Sequence, residues 1–266
     1  MHGLDETRFA RHFSEFVSLA DAGAGLAAYI GGLEAKHRTF AETLAGDRLA
    51  RLDLDGARIL LETVFTARRR LFPLIEALGE EAFRELLGGL AQGDAPVDAR
   101  IANFCNGLPY PEGEGREARM LQRKLRGAAR DFAAELLHFA DPLAHPLMTR
   151  WVWDAGTSSG ALRELMAVPE NASHIPLAAT YETFSEARQW LVARIAEQGI
   201  YRDQHWWADL TLAMAYIGYF RAMTGGALGS DFMRASTPQE QLEKLLGIEA
   251  ERGGGRSRVK TTSTVH

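Results

Sequence analysis

Apolar residues recur along this chain in steps of three and four. Between Met120 and Phe139 they fall at Met120, Leu121, Leu125, Ala128, Ala129, Phe132, Leu136 and Phe139, which lines one face of a long helix. Asp141-Pro142 ends that helix, because proline lacks an N–H and pushes the residue before it out of the α region. His145-Pro146 makes a second break. Trp151, Val152 and Trp153 then bring large apolar area back to the same core. Helix, elbow and aromatic run form one unit, and the rest of the chain is arranged around it.

The same period predicts helices over 5–20, 26–44, 57–71, 80–90, 97–105, 160–166, 181–198 and 203–223. A last helix begins at the capping box Thr237-Pro238-Gln239-Glu240 and stops at Gly247. Gly31-Gly32 lies inside the second helix, so either another backbone packs closely there or the helix is interrupted. The helix over 203–223 is apolar nearly all round, which predicts a central position. Residues 106–115 are rich in glycine and proline and mark a loop and a lobe boundary. Ser158-Ser159 reads as a cap for the helix after it, and 174–177 as a short extended piece. The expected fold is all-α: an irregular multi-helix bundle with an N-terminal lobe over 1–105, a C-terminal lobe over 116–249 packed on it, and a flexible basic tail over 250–266.

Composition narrows the function without naming it. A net charge of −5 and a pI near 5.9 give no global reason to expect nucleic acid or an acidic membrane as partner. Cys105 is the single cysteine, which excludes an internal disulfide and a four-cysteine metal site; it reads as an inert buried thiol. The sequence starts without an apolar run, and its most apolar window falls short of a bilayer span, so a soluble cytoplasmic protein is expected. Basic charge is nearly all arginine, with lysine only at positions 36, 124, 244 and 260.

Three chemistries compete. Glu34 with His37, and Glu135 with His138, both read Glu-x-x-His on predicted helices, a spacing that recurs in di-iron and di-manganese carboxylate bundles. With Glu15 and Glu62 as further donors, Glu34, His37, Glu135 and His138 form a candidate metal set able to activate oxygen or water. Short motifs of this kind also arise by chance, and a helix-end role for Glu135 and His138 competes with it. His205, Asp209 and Asp203 form a smaller candidate group, with a solvated pair as the plainer reading.

The second chemistry is DNA binding. Leu125-Arg126-Gly127-Ala128-Ala129-Arg130-Asp131, followed by Phe139, Pro142, Pro146 and Arg150, resembles the hairpin and following helix of helix-hairpin-helix base-excision glycosylases. The resemblance covers about a tenth of the chain and implies a hairpin whose backbone holds phosphate. It departs from the family at the second hairpin glycine, which is Ala129, at the lysine nucleophile, which is Asp131, and at the aspartate after the second proline, which is Met148. A non-catalytic DNA-binding protein is what it implies.

The third is an accessory or regulatory protein that acts by binding another protein. It rests on the missing catalytic constellation, the aromatic runs at Trp151–Trp153 and Trp206-Trp207, and the basic tail. As the least demanding reading it is the expected one, with no cofactor or catalytic residue assigned. The apolar helix over 203–223 leaves room for a second copy of the chain as a further partner.

Overall fold

The computed structural model of the protein describes residues 3–169, 172–224 and 237–248; the expected basic tail lies outside the described residues. The described chain is all-α, with strand pairing limited to two isolated bridges, Leu4 with Met166 and Asp154 with Ser159. Its helices are α1 (Glu6–Ala22), α2 (Leu26–Leu44), α3 (Gly46–Ala50), α4 (Leu54–Glu62), α5 (Phe72–Leu78) and α6 (Glu80–Gln92). They continue as α7 (Val97–Asn106), α8 (Arg116–Ala140), α9 (Ala161–Leu165), α10 (Tyr181–Glu197), α11 (Gln204–Thr224) and α12 (Pro238–Leu246).

Local chemistry sets most of the boundaries. Asp5, Asp53, Thr180 and Thr237 cap α1, α4, α10 and α12 by accepting a first-turn backbone N–H. The capping box at Thr237 and Glu240 is formed from both sides. The predicted helix over 57–71 is the main departure. It stops at Glu62, and 63–71 turns before α5 starts with Pro73 in its first turn. The turn leaves the Thr63 carbonyl free of the helix ladder, and the buried Lys36 ammonium takes it at 2.9 Å. Residues 174–177 run without regular structure.

Two helices organise the packing. α8 lies against α2, α6 and α7, while α11 packs on α1, α9, α10 and α12. Trp206, Trp207, Ala208, Leu210, Leu212, Ala213, Ala215 and Ile217 are all buried, so α11 is central as its all-round apolar pattern demands. One connected core runs from Phe9 to Ile248 and takes in both sides of the loop over 107–115. α2 is continuous through Gly31-Gly32. A Cβ on Gly32 would stand 3.1 Å from the Ile248 side chain, so this glycine lets the residues after α12 approach the helix backbone.

Candidate functional site: the central helix and its elbow

Gly127, Asp131, Glu135 and His138 follow one another on α8 at steps of four, four and three, which places them on one face. The three charged or titratable side chains are 1 %, 3 % and 0 % exposed, in a helix that would bury such groups only with partners. Each has one, and each partner comes from a different segment. Asp131 accepts from Arg150 at the backbone N (2.9 Å), Nε (3.2 Å) and Nη2 (2.8 Å). Glu135 receives Lys36 Nζ of α2 at 2.5 Å. His138 meets Asp209 of α11 at 2.9 Å through Nε2, and donates from Nδ1 to the His145 carbonyl at 2.9 Å.

These contacts are those of charged groups. Lys36 has three N–H bonds and three acceptors: Glu135, the Thr63 carbonyl and the Leu246 carbonyl at 2.7 Å. It also lies 4.1 Å from the centre of the Phe139 ring. Burial pulls Lys36 below the ordinary lysine range and pushes Glu135 above the carboxylate range, while their mutual attraction opposes both shifts. Three acceptors around Nζ match the three N–H bonds of an ammonium facing a carboxylate. Both ring nitrogens of His138 face oxygen, so the ring is held from the elbow on one side and from α11 on the other.

Gly127 is small for a stated reason. A Cβ there would fall inside the Arg150 guanidinium, which lies across the helix at that point. The sequence Leu125 to Asp131 is therefore the middle of a continuous helix and forms no hairpin; the local structure implied by the glycosylase resemblance is absent. Gly127 serves the arginine instead.

The four residues of the candidate metal set are not brought together. Glu135 and His138 are held by Lys36 and Asp209, His37 donates to the Phe139 carbonyl at 2.8 Å, and Glu34 is exposed. Among the described residues no group of three or more histidine, cysteine, aspartate and glutamate side chains is placed to share a metal ion. Glu34 and His37 instead line a surface recess of about 350 Å³ with Asp141, Asp203 and His205. Burial lowers the pKa of His205, against the opposing pull of Asp209. Asp209 itself is buried against His138, so it and His205 are not a solvated pair. Ser158 and Ser159 do not cap α9, whose N-cap is Gly160; the Ser158 hydroxyl accepts the Ile175 N–H at 3.0 Å and ties down the loop over 172–180.

Two features stand outside this stripe. One is a cavity of about 330 Å³ between the elbow and the outer half of α11, lined among others by Asp131, Arg150, Trp151, Asp154, Tyr216 and Tyr219. The other is the start of α8. Over residues 116–124 it is exposed except for half-buried Ala118 and Gln122. It presents Arg116, Arg119, Arg123 and Lys124 beside Met120 and Leu121, which are 46 % and 48 % exposed. By contrast the tryptophan runs are core: Trp151, Trp153, Trp206 and Trp207 are all buried.

Compared with protein-family models, curated proteins and solved structures, the chain matches none. Among the described residues no single helix is long and apolar enough to cross a membrane.

Sequence reasoning missed the partners of the stripe. One signal was present: Tyr29, Leu33, Lys36, Phe40 and Leu44 are the buried positions of α2, so a rare lysine falls on a helical apolar stripe. No comparable signal pointed to Asp131 with Arg150, or to Tyr216.

Proposed function

We propose that this chain is an accessory or regulatory protein that works by binding another protein, and that the outer end of α8 is the surface it uses. One observation carries the reading: a 25-residue helix extends its first nine residues beyond the core, and those residues pair basic with apolar side chains. Their side-chain hydrogen bonding among the described residues is limited to Gln122, which donates to the Pro111 carbonyl at 2.8 Å. Arg116, Arg119, Arg123 and Lys124 favour an acidic partner, with Glu117 the one acidic residue among the nine. Met120 and Leu121 favour a protein groove over a phosphate backbone, since phosphate contacts need no apolar side chains. The net charge of −5 points the same way.

The test uses the full chain and two variants, Arg119→Glu/Arg123→Glu and Met120→Ser/Leu121→Ser. Proteins retained by the wild type are identified, purified and titrated against all three. Loss of affinity by tenfold or more in both variants, with unchanged helical content, supports the reading. Unchanged affinity in both removes the outer end of α8 as the binding surface. Salt-sensitive binding to a DNA duplex that vanishes in the charge-reversed variant replaces the protein partner with nucleic acid.

A further inference from the structure

The cavity between the elbow and α11 holds charge that its lining does not balance. Asp131 and Arg150 neutralise each other through the contacts described above. Asp154 is the remaining charged residue of the lining, and its Oδ1 accepts the Gly156 N–H at 2.9 Å. The recess therefore carries one uncompensated negative charge where aromatic rings replace much of the water. The Tyr216 ring lies 5.9 Å from Trp151 and 6.4 Å from Tyr219, tilted by 51° and 35°. The three rings therefore stand side by side along the cavity. The face of an aromatic ring is electrostatically negative, so the rings and the carboxylate attract the same kind of ligand.

The polar groups agree. The hydroxyls of Tyr216 and Tyr219 have no hydrogen-bond partner among the described residues. Burial, reinforced by the Asp131 carboxylate, pushes Tyr216 above its ordinary range, so it remains a neutral phenol. Arg150 is turned onto Asp131 and across Gly127, which leaves it poorly placed to recruit an anion. A compact inorganic cation would need several oxygen ligands in place of its water. An organic ammonium ion sheds water more easily and packs its methyl or methylene groups on rings.

We propose that this cavity binds a small organic ammonium ion, held against the faces of Trp151, Tyr216 and Tyr219 and paired with the Asp154 carboxylate. Its volume of about 330 Å³ is at the low end of the roughly 300–1,000 Å³ of small-molecule pockets, which suits an ion of the size of choline. The same chemistry is offered by a free amine and by a methylated lysine side chain of a protein. The inference is independent of the role given to the outer end of α8.

The experiment follows the indole N–H signals of the ¹⁵N-labelled full chain, which has five tryptophans, with the Trp151 signal assigned from a Trp151→Phe variant. Choline, tetramethylammonium and a trimethyl-lysine peptide are titrated at constant ionic strength, beside 3,3-dimethylbutanol, the neutral carbon isostere of choline. Saturable movement of the Trp151 signal is expected with the cations, and binding at least tenfold weaker with the isostere. Asp154→Asn and Tyr219→Leu should each weaken binding by about fivefold or more, with circular dichroism unchanged. A peptide that binds more tightly than choline identifies a protein side chain as the source; the reverse identifies a free ion. Equal binding of the isostere, unchanged affinity in both variants, or no saturable change with any of the three cations overturns the proposal.

Discussion

The outer nine residues of α8 and the inner sixteen belong to one unbroken helix and obey opposite rules. Outside, four basic side chains extend into solvent and hold nothing in place. Inside, Asp131, Glu135 and His138 are buried and each fixes a separate segment: the elbow, α2 and α11. The number of charged groups is similar in the two halves, but their energetic weight is not. A solvated charge is stabilised by water whatever its neighbours do, whereas a buried one depends wholly on partners of matched geometry. Charge on this helix is therefore adhesive at one end and available at the other.

The largest expected effect tests the inner half. Lys36→Ala leaves Glu135 buried without its partner, and urea unfolding should report a loss of about 3–5 kcal/mol. The double variant Lys36→Met/Glu135→Leu should recover a large part of that loss, because it removes both charges together. Single variants within about 1 kcal/mol of wild type would show that the buried charges do not hold the inner half. Next comes the seam between the halves. Gly127→Ala should destabilise by about 1–3 kcal/mol, since displacing Arg150 outweighs the roughly 1 kcal/mol that alanine brings to a helix. In an Arg150→Ala background the same change should be neutral or stabilising, and a persistent penalty there would assign the glycine another role.

Cys105 reports on the same seam. Burial pushes its thiol from 9.0 up to about 11, against the pull of Arg130 and Arg126 of α8. At pH 8 on the order of one molecule in a thousand then carries a thiolate, so alkylation of the folded chain should be slow and should speed up in Gly127→Ala if that change loosens the seam. The sign for stability follows. The unfolded chain releases this proton near 9.0 and the folded chain only near 11, so stability should fall as pH rises between those values, and a Cys105→Ala variant should lack that component. The smallest effect belongs to the outer half: Met120→Ser/Leu121→Ser should change stability by no more than about 0.5 kcal/mol. A loss above 2 kcal/mol would show that these residues pack after all.

Much of α8 was legible because its signals are local. Ala128, Ala129, Phe132 and Leu136 announce burial, though the helix is buried on every side over 131–139 and the same stripe is exposed at Met120 and Leu121; Asp141-Pro142 announces the end. The Glu-x-x-His spacing also placed Glu135 and His138 correctly on one face of the helix. What spacing cannot supply is the identity of the group opposite. Lys36 precedes Glu135 by 99 residues and Asp209 follows His138 by 71, so the same pattern serves a metal pair or two ion pairs according to contacts made across the fold. The break in the helix expected over 57–71 was hidden for the same reason, because the acceptor it frees is used by Lys36, 27 residues earlier. Arg150 over Gly127 left a trace, a glycine at a cost in mid-helix, but composition alone reads such a residue as a flaw or a turn.

Lys36 also sets an order of events. Its three acceptors lie 27, 99 and 210 residues further along the chain. A growing polypeptide can form α2 early, yet it cannot bury this ammonium at full satisfaction until Leu246 has been synthesised and α12 has docked. Any shorter intermediate leaves one N–H unpaired in an apolar setting, or keeps the region open to water. The buried lysine thus acts as a check on completion: native packing around α2 closes only when the residues of the last described helix are there to close it.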